Sequence, residues 1–194
     1  MKKFLLLIAV IASLAALIVP IVVTSTPNAE PSTSFAADRQ RESDLDAKRQ
    51  ERIARRRARQ AAYEHFIDST VLSHHYRFVP TMFNVEPAGS THLITNPNIE
   101  LDFMGDWADV HLPAFQGFTP PYRLVVFNTS VSLSNFTTVQ TDNGWTVSFD
   151  SWLYTSNDYT FTLDIYSKTG GATLTLSSSF YPTTTYWGSI YAMY

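Results

Sequence analysis

The sequence predicts an all-β domain, a single antiparallel sandwich or flattened barrel of about 8–10 strands, preceded by a hydrophobic N-terminal segment and a charged α-helix. From Tyr76 onward, apolar and polar residues alternate with a period of two, and turn residues recur about every eight to twelve positions. All seven glycines follow Pro87. These features are typical of many short antiparallel strands, but they do not choose between a sandwich and a barrel.

The chain of 194 residues is long enough for one compact domain and a tail. We expect four segments. They are a signal peptide or uncleaved membrane anchor at 1–25, a flexible spacer at 26–36, a charged helix at 37–68 and the antiparallel β domain at 74–194.

The first segment has the pattern of an export signal. Lys2 and Lys3 precede an uncharged, mostly apolar run from Phe4 to Val23. The run is close to the roughly 20 residues that span a bilayer, so cleavage and retention as a membrane anchor both remain open. Either outcome predicts a domain in the periplasm or anchored to the inner membrane and facing the periplasm.

The charged helix follows a spacer rich in Pro, Ser and Thr. Ser43 is a candidate N-cap, acids concentrate in the turns that follow it, and Arg residues lie toward the other end, in agreement with the helix dipole. The few apolar positions favour a solvated stalk. The alternative is that Arg55, Arg56, Arg57 and Arg59 contact anionic lipid or another envelope polymer.

The strands follow from alternation and turn signals. The clearest alternation predicts the strands at 99–103, 145–150, 159–165 and 172–177, the last three forming a meander. Weaker patterns predict strands at 76–85, 91–95, 107–112, 123–128, 131–140 and 185–191. We place a hairpin turn at Asn143-Gly144, Pro80 at an edge or bulge, and one long apolar loop at 113–122.

Charge and cysteine content exclude several functions. Residues 38–60 carry nine cations and five acids, a net +4, whereas residues 61–194 carry three cations and eleven acids, a net −8. The acidic domain is therefore predicted not to bind nucleic acid, which requires clustered Lys and Arg. With no cysteine, the chain has no disulfide, thiolate nucleophile or cysteine-ligated zinc.

Surface aromatics are the candidate ligand-binding residues. An aromatic platform on a solvated sheet face suits an envelope glycan or a peptide. The alternative is that these rings form a second buried layer. The candidates are Trp107, Phe115, Phe118, Trp152, Tyr154 and Trp187.

Two enzyme-like patterns are weaker. Asp106, Asp109 and His111 are close in sequence, and His74, His75 and His92 are further candidate ligands of a metal site, but turns and solvated strand faces carry such residues anyway. Glu100 and Asp102 have the spacing of a glycosidase pair, on a face that we interpret as solvated. We therefore assign no catalytic residue, no metal and no cofactor, and we favour a non-enzymatic protein over a weak hydrolase.

Several blocks resemble the bacterial domain-of-unknown-function family 4251. They are Gly105-Asp106, His111 to Gly117, Pro121-Tyr122, Tyr159 to Leu163, Gly171 to Leu176 and Tyr186 to Ile190, with a charged helix leading into the first strand over Arg52 to Val79. Ala114 departs from the family's usual Tyr, and Gly170 lengthens one turn. The resemblance implies an exported, β-rich envelope protein of Bacteroidetes-type bacteria, and it carries over no catalytic residue.

Overall fold

A computed structural model describes residues 32–86, 89–117, 119, 121–153 and 158–194. The predicted signal peptide or anchor at 1–25 and the spacer residues 26–31 lie outside this part of the chain. The chain divides into two compact units, Met1–Ala47 and Lys48–Tyr194. All the candidate site residues lie in the second unit.

Helix α1 spans Ser32–Ser73 and is longer than predicted at both ends. Residues 32–36 are helical, so our prediction of a spacer there is wrong, as is the N-cap at Ser43, which lies inside the helix. The segment beginning Ser32-Thr33-Ser34 supplies the residue types that favour a helix N-terminus eleven positions earlier. Among the described residues, no helix has a stretch both long and apolar enough to cross a bilayer.

Twelve strands follow, and every pair is antiparallel. They are β1 (His75–Glu86), β2 (Thr91–Leu93), β3 (Glu100–Met104), β4 (Trp107–His111), β5 (Pro113–Gln116), β6 (Arg123–Val126), β7 (Thr129–Ser132), β8 (Ser134–Thr141), β9 (Gly144–Trp152), β10 (Asp158–Tyr166), β11 (Gly171–Ser178) and β12 (Thr183–Ala192).

Ten of these strands form one nearly closed, barrel-like sheet, which confirms the predicted fold class. The order is β7-β4-β3-β1-β12-β11-β10-β9-β8, with β2 beside β1 and a separate hairpin of β5 and β6. The two ends of this order, β7 and β8, are separated in the chain only by Leu133. The chain bends there, so β7 pairs with β4 and β8 pairs with β9. We call the place where β7 and β9 meet beside this bend the seam. Across it, the Ser151 hydroxyl donates a hydrogen bond to the Ser132 carbonyl at 3.2 Å.

The strand count exceeds the prediction because two stretches are divided differently. The predicted strand 131–140 is split at Leu133 into β7 and β8, with Asn135 in the left-handed region at φ 52°. The predicted loop 113–122 begins instead with β5, which pairs with β6. The meander of β9, β10 and β11 is confirmed, with Leu163 opposite Val147 on one side and Leu174 on the other.

Aromatic side chains fill the barrel interior. Phe149 stacks on Phe161 with ring centroids 4.5 Å apart, and Tyr76 stacks on Phe103 at 4.6 Å. Phe103 also meets Phe149 edge to face at 5.6 Å, which joins the two stacks across the interior. The inward positions are thus occupied by packed rings and aliphatic groups, as expected of a small barrel.

Turn chemistry explains two local features. The β8–β9 turn is Asp142-Asn143, not the predicted Asn143-Gly144; Gly144 is already in β9, at φ 150°. A Cβ there would lie 2.0 Å from the Ile165 carbonyl oxygen, so close packing against β10 requires glycine. The predicted bulge at Pro80 is confirmed by a register shift between Pro80 and Met82.

The last turns of α1 pack against the barrel. Ile67 and Val71 are 2% and 0% exposed and belong to the core. Gln60 donates its Nε2 to the Lys168 carbonyl at 2.9 Å, and Tyr63 donates its hydroxyl to the Thr169 carbonyl at 3.1 Å. This stretch of the helix is therefore part of the β domain and does not act as a solvated stalk.

Candidate functional site

Three of the predicted ligand-binding residues present their rings to solvent. Trp107, Trp152 and Trp187 are 53%, 62% and 36% exposed, so the alternative of a second buried layer is wrong for these rings. Phe118 and Tyr154 lie outside the described residues. The exposed tryptophans are distributed over three different strands.

Trp107 and Trp152 flank the seam of the barrel. Ser132 is the cross-strand partner of Trp107, and its carbonyl accepts the hydrogen bond from Ser151, the neighbour of Trp152. Each ring points outward, since Ala108 and Ser151 beside them point inward. Ser132, which is itself exposed, thus lies between the two strands that carry the tryptophans.

Trp187 lies elsewhere on the sheet. Its partner on β11 is Thr173, and the register continues through Asp164 on β10 to Thr146 on β9. Trp152 is six residues further along β9, which corresponds to about 20 Å of strand. The structure therefore does not bring Trp187 to the seam.

Phe115 packs down onto the domain and is not a free ring of a loop. Its ring lies 6.1 Å from that of Phe83 and 5.7 Å from that of His92, and it is only partly exposed. Phe83 itself is buried in the core. This packing removes the reason for assigning Phe115 to a binding surface.

Glu100 and Asp102, the candidate glycosidase pair, are both held by Arg77. The guanidinium binds Asp102 through two hydrogen bonds, Nε to Oδ1 at 2.7 Å and Nη2 to Oδ2 at 2.6 Å, while Nη1 lies 2.7 Å from Glu100. The bond with Asp102 raises the pKa of Arg77, and attraction to both carboxylates adds to it while burial opposes it. Asp102 is 7% exposed, so our interpretation of this face as solvated is wrong at this position.

The surface beside this cluster forms an open groove of about 610 Å³. Arg77 and Tyr191 line it together with Val79 and the final three residues of the chain. Because Arg77 binds two carboxylates, its positive charge is compensated within the protein.

Asp68 joins the helix to the barrel. One carboxylate oxygen, Oδ1, accepts hydrogen bonds from the Trp145 indole at 2.7 Å and from the Ser167 hydroxyl at 2.6 Å. Trp145 is 8% exposed, so its N–H needs a partner inside the protein. This acid is therefore a structural group at the helix–barrel interface.

The histidines and acids of the hypothetical metal site are separated. Within the described ranges, no group of three or more His, Asp or Glu side chains lies close enough to hold a metal ion. His74 meets Phe136 edge to face at 4.8 Å, and His92 stacks on Phe83 at 5.0 Å. Asp109 pairs with Asp102 on β3 and with Ser130 on β7, and so occupies an ordinary strand position.

A sequence profile of the family "Domain of unknown function (DUF4251)" matches residues 58–190. The chain belongs to this family. The DUF4251 match begins close to Gln60, which hydrogen-bonds to the barrel, and ends at Ile190 in β12. The family region thus comprises the barrel and the stretch of α1 that packs on it.

A solved structure supports the same fold. The chain is similar to the crystal structure of a DUF4251 family protein from Bacteroides eggerthii, with a TM-score of 0.51 and 18% sequence identity. The similarity covers 69% of this chain and 91% of that chain. No curated protein matches the sequence.

Sequence reasoning missed Asp68 and Arg77 as organising residues. Signals existed for both. Asp68 directly follows Ile67 on the helix, next to the apolar positions that enter the core, and Arg77 is the one cation among the strand residues before Arg123. Neither partner set could be read from spacing, since Trp145 and Ser167 lie 77 and 99 residues from Asp68.

Proposed function

We propose that the chain is an exported protein of the bacterial cell envelope whose β domain has a non-enzymatic, structural or interaction role outside the inner membrane. The observation that carries the export step is the order of Lys2 and Lys3 followed by the uncharged run from Phe4 to Val23. The similarity to a Bacteroides protein supports an envelope of that bacterial type.

The non-enzymatic role is supported by what the candidate groups contact. Asp68 binds Trp145 and Ser167, Arg77 holds Glu100 and Asp102, and the barrel interior is packed with side chains. Arg77 bridges the two carboxylates of the candidate glycosidase pair, which a hydrolase would have to present to its substrate. The weak-hydrolase alternative therefore finds no support among the described residues.

Export is tested by fusing a reporter that is active only outside the cytoplasm to the C-terminus of the full chain. Reporter activity is expected for the wild type, and it should be lost when Ile8 and Ile11 are both changed to Lys. A control with Ile8→Leu and Ile11→Leu changes the same two positions but keeps the run apolar, and it should remain active. Reporter activity in the Ile8→Lys/Ile11→Lys variant equal to wild type would contradict the proposal.

N-terminal sequencing of the same exported material separates the two open forms. A new N-terminus after the apolar run indicates a released periplasmic domain. An intact N-terminus in the membrane fraction indicates an uncleaved anchor.

A second candidate function is glycan or peptide binding at the seam. The observation in its favour is that Trp107 and Trp152 are both exposed on the outer face, one on each side of Ser132. Two exposed rings flanking a small residue suit a flat ring-shaped ligand such as a hexopyranose. A sugar can stack on one ring and approach the other without displacing a bulky side chain.

This second candidate is tested with single substitutions and a panel of soluble envelope glycans and peptides, using tryptophan fluorescence. W107A and W152A should each abolish the quenching that a binding ligand produces in the wild type. W187A is the matched control, because it removes an exposed tryptophan away from the seam. Equal loss in W187A, or no quenching by any glycan or peptide, would remove the hypothesis.

A further inference from the structure

The stretch Lys48–Arg59 of α1 concentrates its cations on one side. It carries seven cations and one acid, Glu51. On a helix with 3.6 residues per turn, six of the seven fall within an arc of about 120°, while Arg57 lies outside it on the other side. We call this arc the basic face: Lys48, Arg49, Arg52, Arg55, Arg56 and Arg59.

The basic face is exposed and nearly without acidic partners. Every one of its residues is exposed, and in the described part of the chain the only ion pair it makes joins Arg55 to Glu51 at 2.7 Å. Gln60, one residue after the face ends, donates a hydrogen bond to the Lys168 carbonyl of the barrel. Like charges at this spacing repel one another in a free helix, so the arrangement favours an external anionic partner.

Two aromatic rings continue the basic face toward the barrel. Tyr63 and Phe66 fall in the same arc, are 40% and 42% exposed, and have ring centroids 6.4 Å apart. Arg side chains followed by half-exposed aromatic rings are typical of surfaces that lie at the headgroup level of a bilayer, where cations meet phosphates and rings enter the apolar boundary.

We propose that the basic face, with Tyr63 and Phe66, binds the anionic surface of a lipid bilayer. Charge complementarity favours it, since guanidinium groups bind phosphate in a bidentate manner. A bilayer also covers the two rings, which a soluble polyanion such as nucleic acid would leave in water.

Membrane binding by the basic face goes beyond the proposed envelope role, and it does not depend on whether the chain is exported. It replaces the idea of a stalk that holds the β domain away from the membrane with a helix that lies on the membrane surface. The binding site is then the helix face, and Tyr63 links it directly to the barrel through its bond to Thr169.

The test uses the full chain reconstituted in nanodiscs of pure phosphatidylcholine or of phosphatidylcholine with phosphatidylglycerol. Because the chain has no cysteine, one Cys accepts an environment-sensitive fluorophore at a single site. A62C places the label beside the basic face, and A61C places it about 100° away around the helix. Emission from position 62 should rise and shift to the blue in the anionic discs only, with a smaller change at position 61.

Charge variants of A62C then identify the residues responsible. R52Q/R56Q/R59Q removes three cations from the basic face, and R57Q/R123Q/K168Q removes three cations elsewhere as the matched control. Each basic residue at an anionic surface contributes about fivefold, so the first triple should lower the ratio of bound to unbound helix about a hundredfold. The control triple should leave that ratio within about fivefold of the wild type.

Three results would overturn the proposal. One is equal emission in neutral and anionic discs. Another is an equal fall in the ratio of bound to unbound helix in both triple variants, which would show that total charge, and not the basic face, determines binding. The third is a response in neutral discs to added DNA or to a second copy of the chain that matches the response to phosphatidylglycerol. None of these results depends on export, so they are distinguishable from failure of the reporter experiment.

Discussion

Helix α1 contains two consecutive stretches of opposite character. Lys48–Arg59 carries seven cations, and its only apolar side chain beyond alanine, Ile53, is half-buried. Gln60–Ser73 carries no Lys or Arg, and it places Ile67 and Val71 in the core. The backbone is continuous, yet the buried core residues and the hydrogen bonds to the barrel belong to the second stretch. Continuity of a helix therefore says little about which part belongs to a folded domain.

The two stretches should differ most in the free energy of unfolding that each loses when one isoleucine is changed to alanine. Ile67→Ala removes buried methyl groups from the core and should lower the free energy of unfolding by about 3 kcal/mol. Ile53→Ala is the matched control and should change it by less than about 1 kcal/mol. Urea unfolding followed by tryptophan fluorescence measures both. Equal losses would break the distinction between the two stretches.

Removal of an acidic side chain should likewise lower the free energy of unfolding more in the second stretch than in the first. Asp68→Ala leaves the buried Trp145 N–H without its acceptor and should lower the free energy of unfolding by about 2 kcal/mol. Glu51→Ala removes an exposed pair with Arg55 and should change it by less than about 0.5 kcal/mol. Denaturant midpoints give both values. An Asp68→Ala protein as stable as the wild type would show that the helix does not depend on this bond.

Two buried tyrosines of the barrel give a smaller contrast in stability. The Tyr186 hydroxyl donates to the Pro113 carbonyl at 2.6 Å, whereas the Tyr76 hydroxyl is buried without a partner among the described residues. Burial raises the pKa of both phenols. Tyr186→Phe should therefore lower the melting temperature, through a loss of about 1 kcal/mol, while Tyr76→Phe should leave it unchanged or raise it. The opposite order would contradict the assignment of partners.

The smallest expected change in stability concerns Asp150. Like Asp68, it accepts two side-chain hydrogen bonds, but it lies near the surface. The bond from Asn135, and then that from Thr160, lowers the pKa of Asp150. A lowered pKa in the folded state stabilises the protein above the unfolded pKa of about 4, and this stabilisation is lost as the pH falls. Asp150→Asn should thus be slightly less stable at pH 7 and equal to wild type in acid. A difference in denaturant midpoint that grows toward acid would be inconsistent with this.

Much of the fold follows from local pattern, because alternation in a strand reports directly which face is buried. Trp145, Val147 and Phe149 were predicted to share a face, and all three are buried. Alternation also predicted the meander. By contrast, β5 was missed, because Pro113 begins it and the sequence around Phe115 contains the Gly and Pro typical of loops.

The candidate site was harder to predict, since exposure and proximity depend on register between distant strands. The sequence left open whether Trp107 and Trp152 are surface rings or part of a buried layer, and only the β4–β7 pairing and the bond from Ser151 place them on one seam. It grouped Arg57 with Arg55, Arg56 and Arg59, although helix geometry puts Arg57 on another side. It also interpreted the whole helix as a stalk, because the partners of Asp68 lie at the other end of the chain.

Amide hydrogen exchange along α1 tests the division of the helix most directly. Amides from Tyr63 to Ser73 should exchange only when the barrel unfolds, whereas those from Lys48 to Arg59 should exchange far faster, through local fraying. The predicted result for the detergent-solubilised full chain is a sharp rise in protection close to Gln60. Uniform protection along the helix, or fast exchange through Ser73, would contradict the account of a docked stretch and a free basic stretch.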